Sequence, residues 1–498
     1  MEGLKERARS GALWMALAVA ASAVVQILRI VVLARYFLGP TEFGLVALAI
    51  AVTYVLAAIA DLGTSSSLLH RQDATREELS SVFWFNVLLG IVFCGLLMAT
   101  APALAAGLGE PGVAPLLRAL AVCFVIDGIA TPLIVLLRRD LEFRRASLAE
   151  AISVLMGTAI TLVCAILGAG LWALIAGIVG QTLVRAVLLV HWAWPRFALT
   201  LRLDATDLKG FLGFGAYQVA ERLVSRIGDR IGQLLLDPLA GSVQLGLYSV
   251  ASNLATMPML QILPIIGQTT TPVLSMTQSD TQRMSRGYFL ASEVLMTIMA
   301  PLFLGLLVIA PALVPLMLGE KWIETTPIFQ VLCLQVMLYS FFFFSGALII
   351  AKGRGALGLA WRAGFTLALI GPAYVGARYG KALGLSIGVA AVTALAIVPY
   401  YLLVLRRLLG PCLPALAVAV GAPLAMGAVM AGAVAVLGAM LGDWRPVAAL
   451  AVQIPTGMLI YAGLLLLFRP SIAGELLQVV PFAKIAGLWA SFRHAQAQ

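Results

Sequence analysis

Five polar or charged residues interrupt one apolar stretch: Gln218, Arg222, Arg226, Asp229 and Gln233, spaced by four, four, three and four positions. That spacing lays them along one helical face. An ionisable side chain inside a membrane costs a few kcal/mol or more, so such a face points at a water-filled cavity or at partners, never at lipid. Guanidinium forks match phosphate and pyrophosphate oxygens. The chemistry available to Arg222, Arg226 and Arg230 is therefore recognition of an anion rather than bond making. Arg29, in the first apolar segment, completes the candidate substrate-binding set. The carboxylates at comparable depth, Asp61, Asp127, Glu221 and Asp229, are candidates for ion coupling or for structural pairing. The competing reading pairs Arg226 with Asp229 in its own helix, and Arg222 or Arg29 with Asp61 or Asp127. Arg185 and Arg362 lie two to three turns from one helix end, where snorkelling accounts for them. Glu293, close to an interface, reads as solvated.

Motifs for catalysis are missing. The chain contains no GxxxxGK[ST] phosphate loop, no HExxH and no CxxC pair, and its three histidines are far apart in sequence. Five scattered cysteines, Cys94, Cys123, Cys164, Cys333 and Cys412, sit in or beside apolar runs and read as small core residues. No catalytic residue, metal site or cofactor is expected. The net charge of +10 is spread over many short loops, so it reports membrane topology and not nucleic-acid binding. The basic loop RRDLEFRR (138–145) fits an anchor to anionic headgroups.

The elements that must position these charges follow from composition. With 61% apolar residues, 11% charged residues and a mean hydropathy of +1.01, the chain is not a soluble globular protein. Apolar runs such as LVALAIAVTYVLAAIA (45–60) do not alternate, which excludes a transmembrane β-barrel. The fold class is an all-α polytopic membrane protein. With Gly, Pro and charge clusters as breaks, 14 transmembrane helices fall near 12–36, 45–69, 81–106, 113–137, 145–168, 170–194, 211–236, 243–268, 287–311, 326–351, 355–377, 382–405, 413–440 and 446–468. The first is too long for a signal peptide and reads as a retained helix. Most of the 33 Lys and Arg residues fall in alternate loops, which places both termini in the cytoplasm.

A duplication organises the helices. GPTEFGLVALA (39–49) follows the first helix and GSVQLGLYSVA (241–251) follows the seventh, an offset of 202 residues. PALAAGLGE (102–110) and PALVPLMLGE (311–320) follow the third and the ninth. Six helices per copy is an even number, so the repeats are parallel and a central cavity is expected between two lobes. The expected divisions are an N-terminal six-helix lobe (1–200), a C-terminal six-helix lobe (201–408), two additional helices (409–470) and a cytoplasmic tail (471–498). The 202-residue offset carries Arg29 to position 231, beside Arg230, so the first helix of each lobe holds an arginine at similar depth.

The segments LGPTEFGLVALA (38–49), DLGTSSSLLHR (61–71), LLRRDLEFRRASLAE (136–150), RIGDRIGQLLL (226–236) and LGLYSVASNL (245–254) resemble the Wzx-type oligosaccharide flippases. These form the polysaccharide transporter branch of the multidrug/oligosaccharidyl-lipid/polysaccharide exporter superfamily, and the similarity leans toward its colanic acid exporter type. The resemblance implies a bacterial inner membrane protein that moves undecaprenyl-diphosphate-linked glycan from the cytoplasmic to the periplasmic leaflet by alternating access. It further implies a cationic central cavity, to which Arg29 and the group Arg226, Asp229 and Arg230 correspond. Partners would be that glycan, membrane lipids, and polysaccharide polymerase and export machinery. The alternatives are a cation-coupled multidrug antiporter of the same fold and a membrane-embedded oligosaccharide polymerase.

Overall fold

A computed structural model describes residues 22–60, 75–140, 142–197, 200, 204, 215–276, 280–442, 444–472 and 474. Helix is the dominant structure and no strand occurs among these residues. We number the helices α1 (22–37), α2 (Pro40–Ala60), α3 (Arg76–Gly107), α4 (Val113–Arg139), α5 (Phe143–Ile166), α6 (Trp172–Phe197), α7 (215–240), α8 (242–276), α9 (Thr281–Leu318), α10 (Thr325–Ala351), α11 (355–380), α12 (382–409), α13 (Leu413–Met440) and α14 (Pro446–Phe468). α7 and α8 run on as one helical stretch broken only at Gly241 (φ 83°), and α11 and α12 at Lys381 (φ 52°). The 14 helical segments thus follow the apolar runs. Asp61, the start of the first run and the C-terminal tail lie outside the described residues.

Helix starts depart from the apolar runs for a local reason. α2 begins at Pro40, whose missing N–H costs nothing in a first turn. α3 begins at Arg76 because Thr75 and Glu78 form a reciprocal capping box. α9 begins at Thr281, where the Asp280 carboxylate accepts the backbone N–H of Gln282 and of Arg283.

The described chain clusters into two compact units. The first gathers Met1–Leu254, Met317–Ile328 and Leu359–Val389, and the second Ala255–Leu316, Phe329–Gly358 and Ala390–Gln498. In the first unit, Leu79, Val82 and Phe83 of α3 pack with Leu133, Leu136 and Leu137 of α4 and Leu189 of α6. Phe83 also meets Trp84 and Trp194 edge to face, at 5.3 and 5.4 Å. In the second, Ile309 of α9 packs with Met426, Met430 and Val434 of α13 and with Leu450 and Tyr461 of α14. Tyr461 donates to the Thr297 carbonyl (2.9 Å) and Arg469 pairs with Glu293 (3.2 Å), so the two added helices are docked on α9. Glu293 is therefore mostly buried in an ion pair, not solvated, because α14 ends beside it and brings Arg469 to its carboxylate. Outward faces stay apolar, as at Leu96, Ile166, Leu459 and Leu467, which suits a lipid exterior.

Both halves of the sequence repeat reappear as matched backbone features. Gly109 and Gly319, equivalent in the second motif, both take positive φ, 78° and 92°, in the turn after α3 and after α9. Gly44 and Gly246, equivalent in the first motif, form a crossing of α2 and α8 inside the first unit. A Cβ on Gly44 would lie 1.9 Å from the Ser242 carbonyl oxygen, and one on Gly246 would lie 1.8 Å from that of Pro40. Pro40 and Ser242 are themselves equivalent at the 202-residue offset, so the contact is its own mirror across the duplication. Only glycine allows backbones this close.

Candidate site: an arginine-lined face built on Tyr54

The segment RIGDRIGQ (226–233) divides α7 into two faces. Arg226, Arg230 and Gln233 share one face at spacings of four and three, while the glycines point elsewhere. Gly228 lets Thr366 of α11 approach so closely that a Cβ would stand 2.6 Å from its hydroxyl. Small residues thus seat α7 against α11, and the arginines are left free to converge.

They converge on Tyr54 of α2. The Arg226 guanidinium lies 4.5 Å from the Tyr54 ring centroid and that of Arg230 lies 4.6 Å from it. Arg226 Nη1 also donates to the Tyr54 backbone carbonyl (3.0 Å), and Arg230 Nη1 donates to Gln233 Oε1 (2.9 Å). The Nε of Arg230 is buried and has no hydrogen-bond partner among the described residues, and the same holds for Nε of Arg29 in α1. Each is a donor already stripped of water, which is costly unless something accepts from it.

Asp229 does not pair with Arg226. Its carboxylate is held by Arg362 of α11 (3.1 Å), whose Nε donates to Ser225 (2.9 Å). Arg362 is consequently tied into the first unit and does not snorkel, because Ser225 and Asp229, one turn apart on α7, offer it two acceptors. Asp229 is neutralised, whereas neither Arg226 nor Arg230 has an ion-pair partner among the described residues. The face remains cationic.

The other carboxylates lie elsewhere. Asp127 of α4 pairs with Arg185 of α6 at 2.6 Å, and Glu150 of α5 reaches the same guanidinium at 3.6 Å. Arg185 is thus an intramembrane bridge between three helices and not a snorkelling residue. No hydrogen bond or ion pair joins Arg29 to α7 among the described residues. Glu221 and Arg222 fall in the first described turns of α7, but their side chains lie outside the described set. Sequence reasoning missed Tyr54, an aromatic residue in an apolar run with nothing local to mark it. It also missed Asp237 of α7, which is 3% exposed with neither carboxylate oxygen partnered among the described residues.

At the end of α1 a second set of contacts holds the helix in place. Leu33–Phe37 is a π-helical turn closed by the Leu38 N–H, which donates to the Leu33 carbonyl (2.8 Å), and the Gly39 N–H that would continue it to Ala34 is taken by Glu42 Oε2 (2.9 Å). The Ala34 carbonyl is left for Trp322, whose Nε1 donates to it at 2.9 Å, while Lys321 donates to the Leu38 carbonyl at 2.9 Å. Trp322 is fully buried and meets Phe43 edge to face at 5.5 Å.

Comparison with known proteins gives four findings. Residues 32–327 match the family described as "Polysaccharide biosynthesis protein". The chain is 27% identical over 411 residues to the "Lipopolysaccharide biosynthesis protein WzxC" of Escherichia coli (strain K12), covering 82% of each chain. It is 27% identical over 470 residues to the "Succinoglycan biosynthesis transport protein ExoT" of Rhizobium meliloti (strain 1021), covering 94% of each. Among solved structures it is similar to "Lipid II flippase MurJ, inward closed conformation", with a TM-score of 0.75 at 15% identity over 93% of this chain and 100% of that one. At that identity the likeness is one of fold.

Proposed function

The chain belongs to the polysaccharide biosynthesis protein family, and from that premise we propose that it flips an undecaprenyl-diphosphate-linked oligosaccharide across the bacterial inner membrane. The broad class rests on its relatives: it is a multi-pass membrane transporter of polysaccharide biosynthesis and not an enzyme. The finer reading rests on one observation. Two arginines of α7, free of carboxylate partners among the described residues, converge on one ring, while the only acid between them is neutralised by Arg362.

A cationic face of this kind stabilises a diphosphate headgroup by charge-assisted hydrogen bonds. The glycan occupies a wet cavity between a lobe spanning 1–200 and one spanning 201–408, and the polyprenyl tail stays in lipid. Alternating access of the lobes carries the headgroup from the cytoplasmic to the periplasmic leaflet, with both termini in the cytoplasm as the Lys and Arg distribution supports. Arg29 completes the anion contacts from α1. Polymerase and export machinery receive the product. A site for cationic drugs would require the opposite charge, so the antiporter alternative is disfavoured.

The test is genetic and biochemical. In a deletion strain, lipid-linked intermediates should accumulate in the cytoplasmic leaflet, and Arg226→Ala and Arg230→Ala proteins should fail to relieve this at normal abundance, with Lys restoring part. Full complementation by both Ala variants would refute the assignment. Normal export with shortened polymer in the deletion strain would point instead to a polymerase.

A further inference from the structure

A cation beside an aromatic face is attracted to the ring, and more strongly when both are desolvated. At Tyr54 one ring serves two guanidiniums. Since each carbon lies within 4.6 Å of the same centroid, the two cations are no more than about 9 Å apart. Like charges this near repel, and the ring is the one described contact that the two guanidiniums share. Arg226 would keep the Tyr54 backbone carbonyl and Arg230 would keep Gln233. These acceptors are separate, one for each guanidinium.

We propose that Tyr54 is a positioning residue that sets the spacing of Arg226 and Arg230 so that each takes one phosphate of a diphosphate. The inference rests on the reading of this face as the headgroup site, and it adds a basis for choosing diphosphate over monophosphate. Two separated forks gain from the second phosphate only if both are aimed before the ligand arrives, because aiming them afterwards costs side-chain entropy. The ring supplies that aim without using any N–H donor beyond the Arg226 and Arg230 Nη1 groups already engaged.

The experiment is a titration of the purified full-length protein in nanodiscs with farnesyl diphosphate and farnesyl monophosphate. Tyr54→Phe keeps the π face, Tyr54→Met keeps comparable bulk without it, and Tyr54→Leu removes it. We expect Phe to hold diphosphate affinity within about threefold, and Met and Leu to weaken it about tenfold or more while changing monophosphate affinity little. A thermal melt of each variant separates loss of folding from loss of binding, and Met serves if Leu does not fold. Met and Leu variants that fold and bind diphosphate as wild type, while Arg230→Ala does not, would overturn the role of Tyr54 alone. Equal losses for both ligands, or equal losses in Phe, Met and Leu, would reduce Tyr54 to packing. If Arg226→Ala and Arg230→Ala bind diphosphate as wild type, the headgroup reading itself falls.

Discussion

Replacing Gly44 by alanine puts one methyl group where the structure has no room. The new carbon would stand 1.9 Å from the Ser242 carbonyl oxygen and 2.7 Å from its carbon, both backbone atoms that cannot rotate away. An ordinary carbon–oxygen contact would require α2 and α8 to part by about 1 Å or more. Overpacking of this kind costs about 1–3 kcal/mol, occasionally more, and the absence of any movable side chain places Gly44→Ala at the upper end. Gly246→Ala forces the same separation from the opposite side, against Pro40. Because one separation relieves both clashes, the double variant should cost less than the two singles together, with a coupling of about 0.5–3 kcal/mol. Gly95→Ala in α3 is the control: nothing lies within 4 Å of its added carbon, and alanine there should be neutral or stabilising by about 0.4–1 kcal/mol. Melting temperatures in detergent, read with Gly95→Ala beside them, measure all four proteins. Unchanged melting in Gly44→Ala, or strictly additive losses in the double variant, would refute a shared crossing.

Two further perturbations are sharp. Trp322→Phe keeps the ring against Phe43 but deletes the donor to the Ala34 carbonyl, and should lower stability by about 1–3 kcal/mol; a melt equal to wild type would show that packing alone seats this residue. The Asp280 carboxyl is held below its ordinary value, chiefly by the backbone N–H of Arg283 and also by that of Gln282. Its folded value is depressed, so its contribution is complete above the ordinary carboxyl range near pH 4 and is lost as pH falls below that. Protection of the Gln282 and Arg283 amides, taken as exchange relative to the intrinsic rate at each pH, should therefore fall on acidification in wild type and stay constant in Asp280→Asn, whose side-chain oxygen caps without titrating. Parallel pH profiles for the two proteins would show that the carboxylate is not the cap.

How much of this was legible beforehand depended on whether the signal was local. Helices were written in hydropathy, and Gly241 fell in the turn that Gly, Pro and charge clusters placed after the seventh helix. Their first turns were less visible, since Arg76, Glu77 and Glu78 are polar and only the Thr75 capping box makes them helical. The arginine face of α7 could be read from its spacing, yet its partners could not. Asp229 had a nearer cation in Arg226, one turn away, and the structure gives it Arg362, 133 positions along the chain. Tyr54 carried no sequence mark at all. Its role comes from an approach between α2 and α7 that no helical periodicity encodes.

The segment bearing Trp322 belongs by chain order to the second copy of the duplication but clusters with the first unit, as does much of α11. The sequence repeat therefore does not make the two halves separable parts. A fragment ending near residue 200 would present Ala34 and Leu38 with open carbonyls and Phe43 with an empty socket, and would lack the chain that fills them. The boundary written by the repeat and the boundary at which the protein can be cut are different places.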